Sequence, residues 1–154
     1  MKFQLPLIAV SDLKTSRAFY ENVLSQKATM DLGTNLSFEN GAFALQEDYA
    51  GLAGTSVCIG TKANDHELYF EEEDFDGFVN HLETFPDIEY VHKAKEYPWG
   101  QRVVRFFDPD CHIIEVGESM RSVFRRFYKE GMSAEQVAER TMHPLEYVKQ
   151  FVGR

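Results

Sequence analysis

Residues 67–82 read ELYFEEEDFDGFVNHL, and this stretch decides the fold. Glu67–Glu73 has the look of a strand. Asp74 is a good N-cap, and Phe75, Phe78, Val79 and Leu82 follow at i, i+3, i+4 and i+7, which is one face of a helix. The same order of signals occurs earlier in the chain. FQLPLIAV (residues 3–10) reads as a buried strand, and Asp12 opens a helix over DLKTSRAFYENVL in which Leu13, Tyr20, Val23 and Leu24 share a face. Asp12 and Asp74 are 62 positions apart, and Leu13 and Phe75 hold equivalent places. Three short strand-like runs follow each helix. KATMDL, NLSFE and FALQED are separated by Gly33-Thr34-Asn35 and Asn40-Gly41. IEYVHKA, RVVRFFD and HIIEVGE are separated by Pro98-Trp99-Gly100 and Asp108-Pro109-Asp110. The repeat predicts an α+β fold for residues 1–118: two βαβββ modules, about 1–60 and 61–118, in an open barrel-like arrangement around a cavity.

Residues 119–154 change to helical patterning and form a predicted three-helix extension. Ser119 caps a helix carrying Met120, Val123, Phe124 and Phe127, which Gly131 ends. Ser133 and Gln136 have capping-box spacing for a second helix, and Pro144 suits the first turn of a third carrying Leu145, Val148 and Val152.

Composition narrows the function. In 154 residues, 44% hydrophobic and 14% aromatic content supports a packed core and excludes intrinsic disorder. The net charge of −9 argues against nucleic acid or anionic lipid as a general partner and favours small ligands or proteins. That charge is uneven: residues 1–118 carry 9 basic against 21 acidic side chains, and residues 119–154 carry 7 against 4. Cys58 and Cys111 are too few for a disulfide framework and read as free thiols of a reducing cytoplasm. Ser11-Asp12 interrupts the apolar N-terminus before a signal peptide could form, and no later stretch suits a membrane span, so an unprocessed cytoplasmic chain is expected.

Three blocks carry a family resemblance over residues 3–118. They are Val10-Ser11-Asp12-Leu13 with Ala18-Phe19-Tyr20-Glu21-Asn22-Val23-Leu24, then Glu67-Leu68-Tyr69-Phe70 leading into Glu73-Asp74-Phe75, and Phe107-Asp108-Pro109-Asp110-Cys111-His112-Ile113-Ile114-Glu115. With them the chain resembles the vicinal oxygen chelate superfamily, which includes glyoxalase I, fosfomycin- and bleomycin-resistance proteins and extradiol dioxygenases. The resemblance implies a cavity that, in metal-dependent relatives, holds a divalent ion polarising two neighbouring substrate oxygens. Its metal positions fall on Leu5, Gln46, Glu67 and Glu115. Leu5 stands where His is common and has no electron pair to donate. The remaining oxygen donors would suit Mg²⁺ or Mn²⁺ better than a nitrogen-rich Zn²⁺ site. Cys111 stands where relatives usually have Gly.

Strand parity offers an alternative to the ion. Gln101, Val103, Arg105 and Phe107 alternate onto one face, as do Glu115 and Gly117, and the resemblance makes that face the inner one. Arg105 then points at Glu67 and Glu115 and could replace the metal charge. It reads either as a fork for a carboxylate or phosphate substrate or as a partner in a buried ion pair. Glu67 and Glu115 are the candidate general base and acid. Tyr69, Gln101, Trp99 and Phe107 are the candidate substrate contacts, with Trp99 at the rim. His81 and His92 read as surface residues.

Two functions are compatible with these residues. One is a glyoxalase-like lyase or isomerase moving a proton next to a carbonyl. The other is a non-catalytic protein that sequesters a drug or regulates through its tail, where GMSAEQVAERTMHPLEYVKQF has a helix-turn-helix outline with Pro144–Val152 as reading helix. Glu146, Tyr147, Lys149 and Gln150 are a thin surface for phosphates, so nucleic acid is not the expected partner and a homodimer is.

Overall fold

A computed structural model describes residues 1–39 and 42–153. Module one runs β1 (Leu7–Ala9), α1 (Leu13–Asn22), β2 (Ala28–Asp31), β3 (Asn35–Phe38), β4 (Ala44–Gln46) and α2 (Tyr49–Ala53). Module two runs β5 (Leu68–Glu72), α3 (Phe75–Leu82), β6 (Tyr90–Glu96), β7 (Arg102–Phe107) and β8 (Ile113–Glu118). Then come α4 (Met120–Lys129), α5 (Ala134–Thr141) and α6 (Leu145–Val148). The strands form two four-stranded sheets, ordered β1-β4-β3-β2 and β5-β8-β7-β6, with β1–β4 and β5–β8 parallel. This is the expected α+β architecture of paired βαβββ modules, each sheet remaining open at its edges. The expected turn at Asn40-Gly41 lies outside the described residues. The first strand is shorter than 3–10 because Pro6 has no N–H for the ladder, although its carbonyl still accepts from Ala44 N at 3.1 Å. The short α2 has no counterpart in the sequence reading.

By contacts the chain divides into two units, residues 1–66 with 107–113 and residues 67–106 with 114–154. In the first unit, Tyr20, Phe38 and Phe43 form an aromatic core with centroids 4.7 to 5.7 Å apart. Asp12 caps α1 by accepting from Thr15 N at 2.7 Å. The β7–β8 turn is hydrogen-bonded onto this helix. Tyr20 Oη donates to Asp108 at 2.8 Å, and the Ser11 and Ser16 hydroxyls donate to Asp110 at 2.5 and 3.1 Å. These buried carboxylates are tolerable because every contact is a donor aimed at the charge. Cys111 in the same turn adopts φ +65, the left-handed conformation that favours glycine.

His112 Nδ1 lies 2.8 Å from Asp108 Oδ2. Burial works against the imidazolium, but the Asp108 bond and the charges of Asp108 and Asp110 together outweigh it and raise the pKa above 6.5. A raised basic group contributes stability that is complete below its unfolded value and is lost as pH rises through the folded value. His112→Gln should therefore cost about 1–2 kcal/mol near pH 6 and progressively less above it. Denaturant midpoints of both proteins across that range test this.

In the second unit α3 covers one face of the sheet. Phe75 and Leu82 are buried there, and the Phe78 and Phe106 rings meet at 6.4 Å. Alternation puts Val104, Phe106, Ile114 and Val116 on this side and leaves the odd-numbered residues for the other. The C-terminal helices build their own core from Val123, Phe124, Phe127, Val137, Ala138, Val148 and Val152. Ser119 caps α4, and Ser133 with Gln136 completes the expected capping box of α5. Met142 ends α5 at φ +57, in the place where a turn glycine is common. The third helix differs from expectation. It spans only Leu145–Val148, not Pro144–Val152: Val148 is fully buried in the helical core, while Glu146, Tyr147, Lys149 and Gln150 are exposed.

Candidate functional site

The face of the second unit opposite α3 carries the site. On β7, the Arg105 guanidinium is engaged by protein groups at each of its three nitrogens. Nε donates to Glu67 Oε2 at 2.8 Å and Nη2 to Glu67 Oε1 at 3.5 Å. Nη2 also pairs with Glu115 on β8. Nη1 donates to the Tyr97 hydroxyl at 2.6 Å and to His92 Nε2 at 3.2 Å. His92 Nδ1 faces Lys93 O at 2.9 Å, so Nδ1 carries the hydrogen and Nε2 is the acceptor. Burial works against the Arg105 charge, but Glu67 and Tyr97 more than offset it and hold the guanidinium above its ordinary value. The Glu115 side chain is 10% exposed and that of Glu67 38%, so Glu67 is the accessible carboxylate of the pair.

A second network lies on the same face. Trp99 Nε1 donates to Gln101 Oε1 at 3.1 Å, and Gln101 Nε2 donates to the Tyr69 hydroxyl at 3.0 Å and to Glu118 O at 3.0 Å. The Tyr69 hydroxyl in turn donates to Glu71 at 2.9 Å. Burial, aided by Glu71 and opposed by Gln101, pushes the Tyr69 phenol up to about 12, so it is a neutral donor at physiological pH. Gly117 makes this packing possible, since a Cβ there would stand 2.9 Å from Gln101 Nε2 and 3.1 Å from the Tyr69 ring. Tyr97 stacks on Trp99 at 4.7 Å and 22°, joining the two networks through their aromatic rings.

Over residues 3–121 the sequence matches the glyoxalase-like domain family. The chain belongs to that family, within the vicinal oxygen chelate superfamily. No curated protein matches it. A protein of unknown function from Agrobacterium tumefaciens str. C58 is 38% identical, with TM-score 0.69, over 77% of the glyoxalase-like chain and 94% of its own. A glyoxalase-related enzyme from Fulvimarina pelagi shares 17% identity at TM-score 0.64, over 77% and 88% of the two chains. A glyoxalase/bleomycin resistance protein/dioxygenase from Nocardioides shares 19% at 0.59, over 77% and 83%. The last two likenesses speak for the fold alone. Most of the C-terminal helical segment lies beyond the family match.

The family's divalent ion does not fit the donors of this glyoxalase-like protein. Leu5 is a hydrocarbon. Gln46, in the first unit, accepts from Asn35 Nδ2 at 3.0 Å and donates to Glu47 O at 2.6 Å, so both ends of its amide are engaged. Glu67 and Glu115 share the single positive charge of Arg105. Among the described residues no group of three or more His, Cys, Asp or Glu side chains is arranged to hold a metal.

Of the sequence candidates, the second unit brings together Arg105, Glu67 and Glu115, and separately Tyr69, Gln101 and Trp99. Phe107 belongs to the first unit, where Lys62 Nζ sits 5.1 Å from its ring centroid. Tyr97 and His92 were not among the candidates, and His92 is a correction: it is half-buried against Arg105, not a surface residue. Unbroken pairing from Glu96–Arg102 would set Lys93 opposite Arg105. One register shift in β6, between His92 and Lys95, puts His92 opposite Arg105 instead.

Proposed function

We propose that this glyoxalase-like protein binds a small molecule without metal chemistry and without turnover, as a sequestering member of its family. The observation that carries the reading is the engagement of all three Arg105 guanidinium nitrogens by protein groups. A guanidinium held by two carboxylates, a phenol and an imidazole supplies fixed charge, and it leaves neither Glu67 nor Glu115 as an uncompensated base. The ligand platform is the neighbouring Tyr69, Gln101 and stacked Tyr97–Trp99 group. Stacked rings beside an amide and a neutral phenol suit a flat, largely apolar molecule with a hydrogen-bonding edge. The bleomycin-resistance part of the Nocardioides protein's name is consistent with such a role.

Trp99 is the sole tryptophan, so its fluorescence reports on this surface directly. Titration with a panel of planar heteroaromatic compounds is expected to give saturable quenching. Tyr69→Phe should weaken binding about fivefold to tenfold, the scale of one hydrogen bond. In the rival lyase or isomerase reading, Glu67 would be the base because it is the more exposed carboxylate. Turnover of 2-oxoaldehyde thiol adducts that disappears in Glu67→Gln, followed by proton exchange next to the carbonyl in D₂O, would establish that reading and overturn sequestration.

A further inference from the structure

We infer that the C-terminal helical extension is part of the ligand site: Arg126 and Phe127 of α4 are positioning residues that hold the turn carrying Trp99. The inference rests on the reading of the Trp99 group as a ligand platform and deepens it by naming what fixes that platform. Trp99 sits in the Tyr97–Gly100 turn between β6 and β7. The hairpin closes this turn with bonds from Tyr97 N to Gln101 O at 2.9 Å and from Gly100 N to Tyr97 O at 2.8 Å. A hairpin tip is ordinarily among the more mobile parts of a sheet. Here the extension grips it at both ends. Arg126 Nη2 donates to Gly100 O at 2.6 Å, a charge-assisted bond, and Nη1 donates at 3.2 Å to Glu96, the last residue of β6. Arg140 of α5 reaches the same Glu96 carboxylate at 3.5 Å. The Phe127 ring lies so close to Gly100 that a Cβ there would stand 2.3 Å from it.

Arg126 can hold the turn because its own place is fixed. Its Nε and Nη2 donate to the buried Glu118 carboxylate at 3.2 and 3.0 Å, and its guanidinium lies 4.7 Å from the centroid of the Phe127 ring. The Glu118 carbonyl accepts from Gln101 Nε2, and the oxygen of that amide accepts from Trp99 Nε1. Helix, turn and indole therefore share one frame around Glu118. Arg126, Phe127 and Arg140 all lie beyond residue 121, where the family match ends, so the grip belongs to the extension and not to the glyoxalase-like domain. A flat binding surface of stacked rings gains from such a frame, because side chains ordered before the ligand arrives need not be ordered by it.

The test reads Trp99, the sole tryptophan, in the full chain: acrylamide quenching of its fluorescence without ligand, then titration with the planar heteroaromatic panel. Arg126→Met keeps the side-chain stem and removes every donor. It is expected to raise the quenching constant and to weaken binding about threefold to tenfold, the cost of ordering one side chain on binding. Phe127→Leu should act in the same direction, and it takes the place of Arg126→Met if that variant does not fold. Val116→Ala, on the α3 side of the same sheet, removes buried apolar volume without touching the turn and should change neither reading. An Arg126→Met protein quenched like wild type overturns the inference, as does one that is more strongly quenched yet binds the panel with wild-type affinity. Equal effects in Val116→Ala would also overturn it, because the loss would then follow stability. If wild type binds none of the compounds, the sequestering reading fails, and the quenching comparison alone decides whether the extension holds the turn.

Discussion

Glu118→Ala is expected to remove about 3 kcal/mol of stability and to loosen the C-terminal helices from the sheet of the second unit. Glu118 is 2% exposed at the end of β8 and accepts two forks on one carboxylate. Arg102 Nε and Nη2 donate at 3.0 and 3.1 Å, and Arg126 Nε and Nη2 donate at 3.2 and 3.0 Å. Arg102 belongs to β7 and Arg126 to α4, so the carboxylate ties strand to helix. Truncation strands two guanidinium groups whose side chains are only 26% and 23% exposed, which costs far more than the pair would contribute on the surface. Arg126 retains Gly100 O and Glu96, and Arg102 retains Asp76, so the loss stays at the lower end for a buried pair. Glu118→Gln, which keeps shape and one acceptor oxygen, should cost roughly half. Urea unfolding gives both numbers. Burial raises the Glu118 pKa, but Arg102 and Arg126 outweigh it and hold the value below 4.5. A depressed acid contributes stability that is present above its unfolded value and lost as pH falls through the folded one. The wild-type advantage over Glu118→Gln should therefore shrink below about pH 4.5.

Gly100→Ala should be of comparable size, about 2–4 kcal/mol, for an unrelated reason. Gly100 closes the Tyr97–Gly100 turn, donating to Tyr97 O at 2.8 Å, with φ +86. A Cβ there would stand 2.3 and 2.4 Å from Cε2 and Cζ of Phe127, a ring that is 4% exposed in the helical core. An L-residue pays about 1–2 kcal/mol for the left-handed backbone, and displacing a packed ring adds about 1–3. The double variant Gly100→Ala/Phe127→Leu removes the clash and keeps the strain. It should recover part of the loss relative to Phe127→Leu alone, and thermal midpoints of the four proteins give the coupling. A Gly100→Ala protein as stable as wild type would mean the turn does not rest on this ring.

What was legible in the sequence was local. Asp12, Ser119 and Ser133 cap the helices they were expected to cap, because a cap bond spans only three residues. The meeting of Arg105 with Glu67 and Glu115 was legible because side chains alternate along a strand. His92 was not, because one register shift in β6 moves the pairing by one residue, which is enough to exchange Lys93 for His92 opposite Arg105. The bonds from Ser11 and Ser16 to Asp110 were also out of reach, since they join residues more than ninety positions apart and nothing local in either segment specifies its partner.

By itself, then, the sequence determined the two βαβββ modules, the helical tail and the family, because periodicity and caps are properties of neighbouring residues. Only the tertiary structure decided that the Arg105 guanidinium between the two carboxylates is engaged at every nitrogen. It also decided that His92 and Tyr97 complete that centre, and that α6 is a single turn anchored by Val148. Each of these depends on strand register and on which distant groups share one small volume, and neither is written in local spacing.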